Sequence, residues 1–332
     1  MTPDEAFIRD LPKTDLHMHL EGSMEPETML EMARRNGIGL RWGSPEALRA
    51  AYEFEGLSSF LDLYFEACRV LQSERDFHDV TAAYLRRARQ DGVIHAEIFF
   101  GPQTFLDRNI PIAAMMDGIL GAFGETDISA GLLVSVHRHR SEAEAFEVLR
   151  LTEPWADRVL GIGMGGAELG NPPSKFVDFF AACRAAGFRT TVHAGEEGPP
   201  AYVREAIDLL RVSRIDHGVA AAQDPALVAD LAARGIPLTV CPLSNLRLKV
   251  VDSLAAHPLK ALLDAGVCVT VNSDDPPYFG GWVTENLVAC RQALGLSRGD
   301  ILRLVRNGFA AAFMSDAERA TALERLDAAA KS

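Results

Sequence analysis

The sequence predicts an α/β chain folded as a (β/α)8 TIM-type barrel with a helical insertion after the first strand. Three observations carry that expectation. Eight short apolar, β-branched runs alternate with helical patterns along the chain. No Gly-rich phosphate fingerprint follows the first run, which argues against a doubly wound sheet. Polar, chemistry-bearing residues collect at the ends of the runs, where a barrel keeps its active site.

Thr14 to His19 is the first expected strand. The stretch from Glu27 to about Asp91 reads as mostly helical, with Ser44-Pro45-Glu46 and Ser73-Glu74 as helix starts. Leu57, Phe60, Leu61 and Tyr64 recur there at helical spacing, a stripe expected either to join the core or to lie over a substrate as a lid. Val93 to Phe100 is the second strand, stopped by Gly101-Pro102, and Leu132 to Arg138 the third. On the second, His95 and Glu97 are expected to point opposite ways, one of them into the barrel. Val159 to Met164 is the fourth strand, ended by Gly165-Gly166, and a helix from about Ser174 to Ala186 follows, closed by Gly187. Phe188 to Ala194 is the fifth strand and Val212 to His217 the sixth. Asp224-Pro225 caps and opens a helix that Gly235 ends. Ile236 to Cys241 and Val267 to Asn272 complete the set. No linker or composition shift divides the chain, so residues 1–332 are expected to form one domain, with about 27–91 as the insertion or lid region.

An apolar content of 48% is ample for such a core. The net charge of -13 argues against nucleic acid or an anionic membrane as a partner, and leaves a small neutral substrate open. Five dispersed cysteines without a C-x-x-C read as reduced thiols. There is no leader pattern and no run approaching the roughly 18 apolar residues of a membrane span. A soluble, cytoplasmic protein is expected, with a homo-oligomer possible.

Six of the nine histidines lie at or beside strand ends, which random placement would not give. His17 and His19, two apart on one strand, leave the same face close enough to share a metal. His193 would be a third nitrogen ligand. Asp274, past the eighth strand and beside the first in a closed barrel, would be the fourth. Three imidazoles, one carboxylate and a water suit one Zn²⁺, with Fe²⁺ or Mn²⁺ possible. An open position on such an ion turns water into a nucleophile. Glu196, three residues past His193, is placed to pass a proton to the substrate, whereas Glu197 reads as a helix N-terminal acid. His217 would orient the attacking water. No H-E-x-x-H and no H-x-E with P-C-x-x-C occurs, and no lysine ends the fourth strand to bridge a second metal.

These residues assembled, the chain resembles the adenosine/adenine deaminase family of the amidohydrolase superfamily. The resemblance runs nearly end to end, through Leu11-Pro-Lys-Thr-Asp-Leu-His-Met-His-Leu-Glu-Gly22, His95-Ala-Glu-Ile-Phe-Phe100, His193-Ala-Gly-Glu196, Arg214-Ile-Asp-His-Gly218, Val240-Cys-Pro-Leu-Ser-Asn245 and Asn272-Ser-Asp-Asp-Pro276. It implies His17, His19, His193 and Asp274 as zinc ligands. It implies Glu196 as the acid at purine N1, His217 as the group holding hydroxide, Asp275 at N7 and the Gly166 N–H at N3. Water then adds at C6 and ammonia leaves. His193 to Pro200, Cys241 to Asn245 and Asp274 to Gly281 are similar to the adenine deaminase branch. So is Glu21, where adenosine deaminases carry an Asp for the ribose.

The chain departs from that branch in places. Adenine deaminases carry Leu-Asp-Ser-Ser-Glu where this chain has Met164-Gly-Gly-Ala-Glu168. They have Asp and His where it has Gly101 and Phe105. His137 and Arg140 flank an Arg-His pair that the branch sets among apolar residues. Fewer polar groups and two glycines lead to the expectation of a roomier pocket, best suited to an N6-substituted or larger adenine derivative rather than adenine. A different metal hydrolase, such as a lactonase or phosphoesterase, is the rival reading. A phosphoesterase calls for a basic phosphate cluster, which is not evident. A metal-binding protein without catalysis would be expected to lack Glu196 or Asp274, and both are present.

Overall fold

The computed structural model describes residues 2–331. Eight parallel strands make up the sheet: β1 (Lys13–His19), β2 (Val93–Phe100), β3 (Ser129–His137), β4 (Val159–Gly165), β5 (Arg189–Ala194), β6 (Arg214–His217), β7 (Leu238–Val240) and β8 (Val269–Val271). Each pairs with the next in chain order. The ring closes where Met18 bridges Asp274. There the His19 N–H donates to the Asp274 carbonyl (3.0 Å) and the Asp274 N–H to the His17 carbonyl (2.8 Å). The expected barrel is the observed fold.

β7 and β8 are shorter than expected. Pro237 and Pro242 bracket β7, and neither can donate to a ladder. At β8 the pairing passes to a side chain, since Asn272 Oδ1 accepts from the Leu16 N–H (2.9 Å).

The insertion is four helices, Pro26–Arg35, Pro45–Ala50, Leu57–Ala67 and Glu74–Gln90. Both expected starts hold. Ser44 Oγ accepts from the Ala47 N–H (3.2 Å), and Ser73 caps the last helix reciprocally with Asp76. Glu74–Gln90 packs on β2 and on the helix Ile112–Ala122. The helix expected from Ser174 begins as a 3-10 turn, Pro173–Phe176, and continues as Val177–Ala185. Asp224 and Gly235 cap Pro225–Arg234 as expected, Gly235 with φ +62°.

The lower barrel interior is filled by a buried ion pair. Arg214 on β6 donates to Glu97 Oε2 (2.7 Å), to the Leu16 carbonyl (3.2 Å) and to the Ala311 carbonyl (3.3 Å). The Phe313 ring covers the guanidinium at 4.3 Å, and the Phe313 N–H donates to Glu97. His95 and Glu97 do not point opposite ways: His95 Nε2 lies 3.2 Å from Glu97 Oε1. Residues two apart on a strand share a face, so alternation places both inside.

Candidate metal centre and active site

β1 presents His17 and His19 from one face into the barrel mouth, and β5 presents His193 opposite them. His17 Nε2 and His19 Nε2 lie 3.0 and 3.1 Å from His193 Nε2. Asp274 Oδ1 lies 3.7 Å from His17 Nε2 and 3.5 Å from His19 Nε2. Ligands about 2.0–2.1 Å from a tetrahedral ion stand roughly 3.3 Å apart, so this spacing fits a single small cation. Burial pushes the His17 and His19 imidazoles down, His19 to about 3, which keeps them in the neutral form a metal requires. Burial alone would raise the Asp274 carboxyl, but the neighbouring His17, His217 and His19 hold it well below its usual range. Asp274 has φ +63° and His217 the same, two non-glycine residues held in a strained region at the site.

The groups behind the ligands were not singled out in the sequence. His17 Nδ1 meets the Thr239 carbonyl and hydroxyl, both at 3.1 Å, which leaves Nε2 free for a metal. His193 Nδ1 lies 3.4 Å from Asp216 Oδ2, a carboxylate–imidazole pair of the kind that orients a ligand. Asp216 Oδ1 accepts in turn from Thr191 (2.7 Å) and Thr239 (3.0 Å). Burial would raise the Asp216 carboxyl, but His193, His17 and Arg214 pull it far down, so it stays an anion. Asp216 sits between Ile215 and His217, where only its place beside a strand end hinted at a role. Cys241 Sγ lies within 4.8 Å of ligand atoms of His17 and Asp274, and burial raises its thiol well above its usual range.

Glu196 stands beside this cluster, with Oε2 3.5 Å from His217 Nε2. Its loop is held by one carboxylate. Glu168 accepts backbone N–H bonds from Gly195 (2.7 Å), Glu196 (3.0 Å), Glu197 (2.8 Å) and Gly198 (2.8 Å). Four amides converging on one anion fix the loop. Burial raises the Glu196 carboxyl well above its ordinary value, and the charges of Asp274, Glu168 and Glu197 add to it.

A cavity of about 60 Å³ opens above. His19, His193, Glu196, His217, Asp274, Asp275 and Gly166 line it, with Leu57, Phe60, Leu61, Tyr64 and Phe65 of the helix Leu57–Ala67 along one side. Phe60 and Tyr64 of this stripe are also part of the core. His17 lies at the floor, fully buried. Asp275 Oδ1 is buried without a partner, and a Cβ on Gly22 would stand 1.6 Å from it. Glu21 is set one layer back: its Oε1 accepts from the Gly101 N–H (2.9 Å), Tyr64 stands beside its carboxyl, and burial raises that carboxyl to about 7.

The adenosine deaminase family matches residues 12–329. The chain belongs to that family. Over 331 residues it is 63% identical to an adenine deaminase of Rhodopseudomonas palustris, covering 98% of this chain and 96% of that protein. The adenine deaminase structure from Arthrobacter aurescens superposes with a TM-score of 0.95 at 43% identity, over 97% of this chain and all of that one. An amidohydrolase from Burkholderia ambifaria, solved with bound zinc, aligns with a TM-score of 0.91 at 30% identity, over 100% of this chain and 95% of that one. As a member of the adenosine deaminase family the chain is a hydrolase of C–N bonds. Among the described residues, His17, His193 and His217, and His19, Asp274 and Asp275, stand in groups that could hold a metal ion. No helix among the described residues is long and apolar enough to cross a membrane.

The family comparison also bears on the glycines. Gly101 abuts His137, Gly165 the His193 ring and Gly166 His139, at 3.0, 3.4 and 3.2 Å from where a Cβ would stand. Imidazoles fill the space the missing side chains leave, so the glycines do not enlarge the pocket as expected.

Proposed function

We propose that the protein hydrolyses the 6-amino group of adenine, using one zinc ion per chain, to give the 6-oxo purine and ammonia. The observation that carries this is the Glu196 carboxyl, buried with its pKa raised, on a loop fixed beside three converging imidazoles. His17, His19, His193 and Asp274 would hold the zinc, which when bound would supply the Lewis acidity that makes a water nucleophilic. Glu196 donates its proton to N1, which turns C6 into an electrophile. His217, 3.5 Å from Glu196 and 3.9 Å from Asp274, orients the attacking water. Asp275, whose carboxyl is raised by burial and by Asp274, would hydrogen-bond N7, and the Gly166 N–H would meet N3. The helix Leu57–Ala67 excludes water from the cavity.

Adenine is favoured over bulkier derivatives because the proteins of highest identity named above are adenine deaminases and histidines occupy the glycine gaps. Five free cysteines suit a reducing cytoplasm. The test is a parallel assay of adenine, adenosine and N6-methyladenine, following purine absorbance and ammonia together, with metal analysis of the purified protein. Adenine is expected to turn over fastest. A faster N6-methyladenine reaction would move the assignment to the substituted base, and no ammonia from any of the three would remove it.

A further inference from the structure

The order of groups around the barrel mouth says which part of the purine each strand meets. In the proposed pose β4 serves N3 through Gly166, β5 serves N1 through Glu196, β6 faces C6 through His217, and the residue after β8, Asp275, serves N7. Going round a purine from N7 to N3 away from C6 passes C8 and N9. Going round the barrel from β8 to β4 the same way passes β1, β2 and β3. The chain there offers Glu21, the bare backbone of Gly101, and His137. Of these, His137 and Gly101 line the cavity.

His137 ends β3 and is 9% exposed. Its Nε2 lies 3.0 Å from where a Cβ on Gly101 would stand, so the imidazole fills the gap that glycine leaves. The ring is fixed on three sides. It stacks on His139 at 5.2 Å, meets the Phe65 ring edge-on at 5.7 Å, and its backbone N–H donates to Gln103 Oε1 (2.7 Å). Among the described residues, the only side-chain hydrogen-bond contact of Nε2 is the Thr104 hydroxyl at 3.4 Å, long for a hydrogen bond. We propose that His137 reads the five-membered-ring edge of the substrate, accepting a hydrogen bond from N9–H of a free base and blocking a substituent at N9. Burial, with His139 and Arg140 adjacent, pushes the imidazole down to about 3, so it is neutral and able to accept.

This inference rests on the deaminase reading above. The zinc-loaded wild type, His137→Ala and His137→Gln are compared on adenine and 9-methyladenine, with metal content and thermal midpoint measured alongside. His137→Ala should lower kcat/KM for adenine by about tenfold, mostly through KM, while 9-methyladenine holds or improves. The adenine to 9-methyladenine ratio should then fall at least that far. His137→Gln, whose amide oxygen can accept, should keep most of the adenine rate. A ratio unchanged within twofold in the alanine variant, or a parallel loss on both substrates, overturns the assignment. A wild type that releases no ammonia from adenine overturns the deaminase reading itself, a different failure from an active wild type with an unchanged ratio.

Discussion

A carboxyl that must deliver a proton has to arrive with that proton in place. Burial and three neighbouring carboxylates raise Glu196 above its ordinary value, which favours its acid form. The acid form carries the reaction, so kcat/KM should fall as pH rises through the Glu196 pKa. Glu196→Gln should lower kcat by about 10²- to 10⁴-fold with a smaller change in KM, and the variant's residual rate should lose the alkaline limb. A pH–rate series on both proteins checks this; an intact limb in the variant would assign it to another group. Gly22 is constrained just as closely. Gly22→Ala would drive a methyl into Asp275, so kcat/KM for adenine should drop by at least about tenfold while metal content stays at the wild-type level. The convergence of His17, His19, His193 and Glu196 was legible in the sequence because His17 and His19 alternate on one strand and Glu196 follows His193 closely. Asp216 and Glu168 were not, because their roles depend on partners 23 to 30 residues away, across a strand–helix unit.

The helix Leu57–Ala67 shows how an element is tied to chemistry far along the chain. Glu197 does act as a helix N-terminal acid, but for this helix: its Oε1 accepts from the Leu57 N–H at 3.3 Å, 140 residues away. Glu196 serves the substrate and Glu197 the cover, on one loop that Glu168 clamps. Glu197→Ala should free the first turn by about 0.5–1 kcal/mol, which corresponds to roughly two- to fivefold faster amide exchange at residues 57–60. KM for adenine should rise more than kcat falls if this helix, which lines the cavity, covers bound substrate. Exchange confined to wild-type rates in that turn would deny the tether. The exposed Lys249–Glu55 pair nearby, 2.6 Å apart, adds little. Spacing made this helix legible; the partner at its N-terminus, joined only by the tertiary fold, was not.

Across the whole molecule, the site stands on a charged floor. Glu97, Arg214 and Phe313 come from β2, β6 and the chain after the last barrel helix, Arg298–Ala311. Glu97→Gln leaves buried Arg214 with only the more distant Asp216 carboxylate, 3.8 Å away, and should cost up to about 3–5 kcal/mol of stability. Burial alone would raise the Glu97 carboxyl, but Arg214 and His95 hold it below its usual value. Its contribution is therefore complete above the ordinary carboxylate range and is lost as pH falls through the depressed folded value. Urea unfolding of both proteins should show a gap that is widest near neutrality and narrows in acid; a pH-independent gap would mean the pair acts through packing alone. The barrel seam carries a consequence for assembly. The contact that closes the ring, Met18 to Asp274, also brings the carboxylate to the histidines of β1. As the chain is made, the three imidazoles can meet once β5 exists, yet the fourth ligand joins only when β8 docks. Metal uptake would thus report ring closure during synthesis, and a chain stalled before β8 would hold at most a three-nitrogen, weakly retaining site.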